Sequence, residues 1–348
     1  MVEKRQFQTC GSRYRCLYLV AAGTVLAIIA IVLICFAGTD GDKEKDTNNV
    51  TEVSTETRQA KVALLPTKCG LNPGQERIAH GANATMGQFP WMALLGGYIS
   101  PSQPAPSYFC GGTIINKKYI LTAAHCIMNE NIKPEFVILG ELNLLTEIDC
   151  EPYLDTEVCA DEPLIMKVSK VIPHWKYNST SLRHDIALLR LEQEIPKYTD
   201  FIQPVCLPLK MKLDEDYLRN KSLTIAGWGN TFESTFHANI LQHARIQTWE
   251  LDKCNEAVLP LKPKRPVLPI NDLQICATGA AAENFTETCY VDSGGPLLDI
   301  VTELPDVKFT QLGVVSFKFD NNCGTVKTPS VFTRVDKYLD WILDTIEE

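Results

Sequence analysis

Three short segments carry residue types that could do nucleophilic chemistry. Leu121–Cys126 reads LTAAHC around His125, Arg183–Leu191 reads RHDIALLRL around Asp185, and Asp292–Leu297 reads DSGGPL around Ser293. A serine hydroxyl at its free pKa is a poor nucleophile and needs an adjacent base. Singly, each segment has a plain structural reading: a histidine beside a cysteine, an aspartate opening an apolar strand, a serine in a glycine-rich turn. Together, in the order His, Asp, Ser and interleaved with cysteines, they point to nucleophilic catalysis.

Such side chains need a scaffold, and the sequence predicts one built from strands. From Ile78 onward, short β-branched runs (FVILG, LIMKVSKVI, IALLRL, LTIAGWG, QLGVVSF, SVFTRV) alternate with Pro, Gly and Asn turns. That texture predicts an all-β sandwich or barrel. Only Val335–Glu348 has helical spacing, with Val335, Leu339, Ile342 and Ile346 along one face. Residues 38–68 are polar and charged, without an aromatic residue, and predict a flexible stem. The chain of 348 residues is long enough for two average domains or one double-layered unit. Hydrophobic residues make up 45% and the formal net charge is -9, so a core is affordable and a basic nucleic-acid binder is excluded.

Residues 17–37 form an apolar run of 21 without a charged side chain. As a helix it spans about 30 Å, the thickness of a bilayer's hydrocarbon core. Lys4, Arg5, Arg13 and Arg15 precede it, while Asp40, Asp42, Glu44 and Asp46 follow, so the N-terminus is expected in the cytosol and the rest outside. A cleaved signal peptide ending near Cys35 and Ala37 is the other reading, and the protein would then be secreted; the run is long for a signal core. Of 13 cysteines, Cys10, Cys16 and Cys35 lie before or inside the run and are expected as thiols. The other ten lie beyond it, with five sequons at Asn49, Asn83, Asn178, Asn220 and Asn284. An even cysteine count and sequons on one side suit an oxidising, glycosylating compartment.

Across Ile78–Glu348 the chain resembles the trypsin and chymotrypsin-like serine proteases. LGELNLL, the Cys150–Cys159 loop and IQPVCLP resemble in particular the catalytic domains of arthropod clip-domain proteases. No six-cysteine clip domain is expected, since only Cys69 lies between the apolar run and the protease region. The resemblance implies two six-stranded antiparallel barrels with a C-terminal helix, preceded here by the transmembrane helix. The implied organisation is a cytosolic tail (1–16), a signal-anchor (17–37), a stem and pro-segment (38–77) and a protease domain (78–348). It makes Ser293 the nucleophile, His125 its general base and then acid, and Asp185 the group that orients and stabilises the imidazolium. It pairs Cys110 with Cys126, Cys254 with Cys276, Cys289 with Cys323, Cys150 with Cys159, and Cys69 with Cys206. It implies cleavage at Arg77–Ile78 by an upstream trypsin-like protease, freeing the Ile78 ammonium to pair with Asp292. A protein substrate or binding partner follows. No cofactor or metal is implied, the carboxylates around Glu141 to Asp149 being a remote Ca²⁺ candidate.

The sequence also departs from the family. After the expected cut, Ala79 and His80 replace the usual Val and Gly, and a glycan on Asn83 would crowd the site. Val291 stands where the family has the glycine whose N–H joins that of Ser293 in holding the oxyanion, and its branched Cβ adds bulk there. Among the expected substrate-binding residues Glu287, Ser316, Lys318 and Ser330, Glu287 replaces a pocket-base aspartate, and Lys318 and Ser330 replace glycines. Lys318 either pairs internally with Glu287, filling the pocket, or turns outward into solvent. Two readings of function stay open: a serine endopeptidase of altered specificity, and a protease homologue serving as a binding or regulatory module.

Overall fold

The computed structural model describes residues 57–72, 82–98, 105–128, 133–229, 238–258, 269–279, 293–303, 306–319 and 329–348. The chain divides into two compact units, Met1–Thr57 and Arg58–Glu348. The apolar run 17–37 lies outside the described residues, and among those described no helix is long and apolar enough to cross a membrane.

In chain order the strands are β1 (Ala82–Asn83), β2 (Met92–Gly97), β3 (Ser107–Ile114), β4 (Tyr119–Thr122) and β5 (Phe136–Leu139). Next come β6 (Cys150–Tyr153), β7 (Thr156–Cys159), β8 (Leu164–Pro173), β9 (Ala187–Leu191) and β10 (Ser222–Gly227). The last are β11 (Gln242–Trp249), β12 (Gln274–Gly279), β13 (Pro296–Glu303), β14 (Asp306–Lys318) and β15 (Ser330–Arg334). One closed barrel runs β2-β3-β4-β9-β8-β5, and a second ring runs β11-β10-β13-β14-β15-β12 and closes through the β11–β12 pairing. Every ladder within the two barrels is antiparallel. The expected pair of six-stranded barrels is therefore present, with two-residue β1 added at the edge of β11.

Closure explains the sequence texture. A strand whose inner face lines a filled barrel and whose outer face meets its neighbour reads as a nearly continuous apolar run. Tyr119, Ile120, Leu121, Leu188, Leu189 and Leu191 are all within 1% of full burial. A separate set inside the second barrel, including Leu223, Ile225, Ile275, Leu297 and Phe332, forms its core. Each such side chain contributes about 1.5–3 kcal/mol by leaving water.

The C-terminal segment is shorter as an α-helix than its periodicity predicts. A 3₁₀ turn covers Val335–Tyr338 and the α-helix runs Leu339–Thr345. All four residues of the predicted face are buried. The stem needs a correction. Residues 58–62 are helical, Leu65 is buried in the main core, and Val62 and Leu64 pack against it. The VALL of 62–65 is too short to show a period, yet it is the apolar surface that draws this end of the stem onto the domain.

Four of the implied disulfides are formed: Cys69–Cys206, Cys110–Cys126, Cys150–Cys159 and Cys254–Cys276. Cys150 and Cys159 face each other across the two-stranded β6–β7 hairpin, which stands outside both barrels. Cys289 and Cys323 lie outside the described residues.

Candidate active site

The two barrels meet along a seam that brings together the segments singled out in the sequence. Thr113 Oγ1 of β3 donates to Gln311 Oε1 of β14 at 2.6 Å, both side chains being buried. Nearby, the Gly111 amide donates to the Ser293 carbonyl at 2.9 Å. The Gly294 and Val315 amides donate to the carbonyls of Val315 and Gly295, each at 2.9 Å. The Ser293 segment is thus held on one side by β3 and on the other by β14.

Gly294 explains why the motif needs glycine after serine. Its φ is +81°, and a Cβ there would sit 2.2 Å from Thr122 Oγ1 and 2.4 Å from the Gly111 carbonyl oxygen. No side chain fits. The contact sets Ser293 beside Thr122–Ala123, the residues that lead into the helix Ala124–Ile127 carrying His125.

His125 is one-quarter exposed, whereas the Asp185 carboxylate is fully buried. Nδ1–H of His125 donates to Asp185 Oδ2 at 2.7 Å, and the His125 backbone amide donates to Oδ1 at 2.8 Å. Ser316 Oγ adds a third bond, donating to Oδ2 at 2.5 Å. Thr333 Oγ1 of β15 donates to the Asp185 carbonyl at 2.8 Å. Burial works to lower the His125 pKa, but the adjacent carboxylate outweighs it, and the net direction is upward from 6.5. Among the described residues no hydrogen bond joins the Ser293 hydroxyl to the imidazole.

Ser316 reaches Asp185 because β14 bulges there. Val315 pairs with Phe332 and Phe317 with Val331, leaving Ser316 as the extra residue. A bulge re-aims one side chain without disturbing the ladder on either side. Beyond it the register resumes, with Lys318 facing Ser330 across the ladder. Ser330 is buried and Lys318 half-buried. Glu287, the expected partner of Lys318, lies outside the described residues, as do Val291, Asp292, Arg77 and Ile78.

Sequence reasoning did not find Thr333 or the support behind Asp185. His184, just before it, has a left-handed φ of +56°, uncommon for a non-glycine residue. Its ring stacks on His174 at 5.2 Å, and its Nδ1 lies 3.0 Å from Tyr338 Oη. Burial lowers the pKa of both histidines, that of His174 to about 4, and so favours the neutral form of each ring. The only sequence signal was the position of His184 next to Asp185; its partners come from distant elements.

The Ca²⁺ candidate resolves into a buried Asp149 beside a half-buried Glu141. Asp149 accepts bonds from the Leu142 and Asn143 amides and from Thr146 Oγ1. Burial and then Asp149 push Glu141 up to about 7, and Glu141 Oε1 has no hydrogen-bond partner. Among the described residues, the cysteine-containing groups compact enough to share an ion, around Cys126 and Cys159, have those thiols in disulfides. Of the sequons, Asn83, Asn178 and Asn220 are exposed, while Asn49 and Asn284 lie outside the described residues.

The family model described as Trypsin matches residues 78–342. The chain is 36% identical over 290 residues to "Serine protease ea" of Drosophila melanogaster, covering 81% of this chain and 70% of the relative. It is 37% identical over 296 residues to "CLIP domain-containing serine protease B9" of Anopheles gambiae, covering 82% and 68%. With "Spaetzle-processing enzyme" of Drosophila melanogaster it shares 34% identity over 281 residues, 78% of this chain and 67% of that one. The crystal structure of the Drosophila Grass clip serine protease of the Toll pathway is similar at a TM-score of 0.67 and 31% identity, covering 80% of this chain and 74% of that one. A double barrel with a His–Asp pair on its seam, matched in sequence across that whole region, leaves one assignment: the chain belongs to the trypsin family of serine proteases.

Proposed function

We propose that the protein is an extracellular serine endopeptidase, anchored by residues 17–37 and made active by cleavage after Arg77. The observation that carries this reading is the buried Asp185 carboxylate, held by Ser316 and by two donors of His125, beside the pinned Ser293 segment. In the proposed reaction His125 takes the Ser293 proton as Oγ forms a bond to the substrate carbonyl carbon. The C–O double bond opens to an oxyanion, held by the N–H groups of Val291 and Ser293. The imidazolium, stabilised by Asp185, returns the proton to the leaving amine as the C–N bond breaks. Water then hydrolyses the acyl-enzyme by the same route.

Glu287, Ser316, Lys318 and Ser330 form the proposed substrate-binding wall, with Glu287 suiting a cationic side chain. After the cut at Arg77, the Ile78 ammonium pairs with Asp292. Cys289–Cys323 completes the disulfide set, and Asn49, Asn83, Asn178, Asn220 and Asn284 are glycan acceptors. Disulfides between distant cysteines support an oxidising compartment. A protein substrate, and an upstream trypsin-like protease that cuts at Arg77, fit a relative named as a processing enzyme.

The second reading, a binding or regulatory module, is favoured by Val291, Lys318 and Ser330, which replace glycines where substrate must lie. A fluorophosphonate probe separates the two. The full chain, with a designed cleavage site at Arg77, is cut and exposed to the probe, with Ser293→Ala as the blank. Labelling supports the endopeptidase. No labelling, restored by Val291→Gly, puts the defect in the oxyanion hole and supports the module.

A further inference from the structure

Residues 58–70 are fastened to the protease domain at more points than the disulfide alone. Arg58 Nη1 lies 3.3 Å from Asp340 Oδ1 and Lys61 Nζ 2.5 Å from Asp344 Oδ1. The two cations stand three apart on one helical turn, and the two carboxylates four apart on the C-terminal helix. Both pairs therefore share a face. Leu65 is 7% exposed and belongs to the main core. The Leu64 carbonyl accepts from Asn116 Nδ2 at 3.2 Å. The oxygen of that buried amide is already taken by the Lys118 and Tyr119 amides, which fixes its nitrogen toward the stem.

Five residues later the chain is held again. The Gly70 amide donates to the Pro204 carbonyl, and its carbonyl accepts from the Phe309 amide, each at 2.8 Å. Gly70 has φ +63°, and a Cβ there would lie 2.2 Å from the Phe309 carbonyl oxygen, so only glycine allows this approach. On the stem side both attachments use only residues before Arg77, and on the domain side only residues after it. A cut there leaves both in place.

We propose that the surface formed by the C-terminal helix, Asn116 and the Pro204–Phe309 groove is a docking site for residues 58–70. It holds the N-terminal chain on the protease after cleavage even without Cys69–Cys206. This rests on the reading that the chain is cut after Arg77. The charge pairs set the register of docking, Leu65 and the Gly70 bonds supply the hold, and the disulfide is a second fastening. A protease tethered this way stays attached to its stem when Cys69–Cys206 is reduced.

The test uses the full chain in detergent, tagged at the N-terminus, with a cleavage site for an unrelated endopeptidase introduced at Arg77. Cys69→Ser with Cys206→Ser removes the covalent link, and Cys69→Ser alone is the second variant should the double one fail to fold. After cutting on resin, the 78–348 chain is expected to remain bound at low salt. Adding Lys61→Glu should speed its release about fivefold or more, by replacing an ion pair with a repulsion. Adding Asp344→Lys to Lys61→Glu should restore retention. Immediate loss of the 78–348 chain from the cysteine variants, or a charge swap that restores nothing, overturns the proposal. Fluorophosphonate labelling of the same cut chain is read separately. Retention without labelling, in the parent and in Val291→Gly alike, would count against activation at Arg77 and leave the docking intact.

Discussion

Gly294→Ala tests whether the Ser293 segment is built as tightly as the geometry requires. The added methyl would lie 2.2 Å from Thr122 Oγ1 and 2.4 Å from the Gly111 carbonyl oxygen, with φ at +81°. The Gly111 oxygen is backbone within β3 and also accepts from Thr122 Oγ1 at 2.8 Å, so it cannot simply rotate aside. Relief requires the 293–295 segment to retreat from β3 by about 1 Å, which breaks the Gly111–Ser293 bond. Left-handed backbone for a β-carbon costs about 1–2 kcal/mol, overpacking about 1–3, and the lost bond about 1. The sum, roughly 3–6 kcal/mol, is a large share of a typical domain's stability. Calorimetry should show Tm lower by roughly 5–10 °C for a unit of this size. Probe labelling at Ser293 should fall with it at temperatures where the fold survives, because the serine moves with its neighbour. A variant that melts within about 2 °C of the parent and labels normally would refute the argument from close packing.

Three further outcomes follow from the electrostatics and the pocket. His125 must be neutral to accept a proton, and its pKa is raised above 6.5 by Asp185 against burial, so labelling should rise with pH through a midpoint above 6.5. Asp185→Asn leaves the burial and removes the carboxylate, so its midpoint should drop below 6.5; an unmoved midpoint would assign the titration to another group. Glu141, raised from 4.5 to about 7, contributes stability below pH 4.5 that is lost as pH climbs through 7. Glu141→Gln should therefore melt higher than the parent at pH 8 in EDTA and gain nothing at pH 4, which thermal scans at the two pH values check. Lys318→Gly should create binding of benzamidine, measured by calorimetric titration, if Lys318 fills the pocket. No gain would mean that the side chain points away from it.

The chemistry was more legible than its support. His125, Asp185 and the Ser293 segment could be read from short motifs because each motif carries its own local requirement: a glycine for φ +81°, a buried strand after the aspartate. Barrel strands were legible as runs such as IALLRL, since closure buries both faces. Ser316 and Thr333 had no local signature as ligands of Asp185. A bulge is an event of register between two strands more than ten residues apart, and nothing in VVSFK marks Ser316 as the unpaired residue. The docked stem escaped for a related reason. Its four apolar residues gain their meaning from Asn116, Asp340 and Asp344, which composition cannot bring near them.

The same strand pair bears on the two functional readings. β14 supplies Ser316 to Asp185 and, two residues on, Lys318; β15 supplies Thr333 to Asp185 and opens with Ser330. Lys318 and Ser330 thus share their strands with the partners of Asp185, yet the ladder keeps the two ends apart. Val315–Phe332 and Phe317–Val331 stay paired on either side of the bulge, and Lys318–Ser330 lies beyond both. Buried Phe332 and Val331 fix β15 between the half-buried end at Lys318 and the seam at Thr333. The proposed pocket wall at Lys318 and Ser330 can therefore vary without moving Asp185. On the proposed reading, in which Lys318 and Ser330 line the substrate pocket, altered specificity and the His–Asp pair are compatible in one fold.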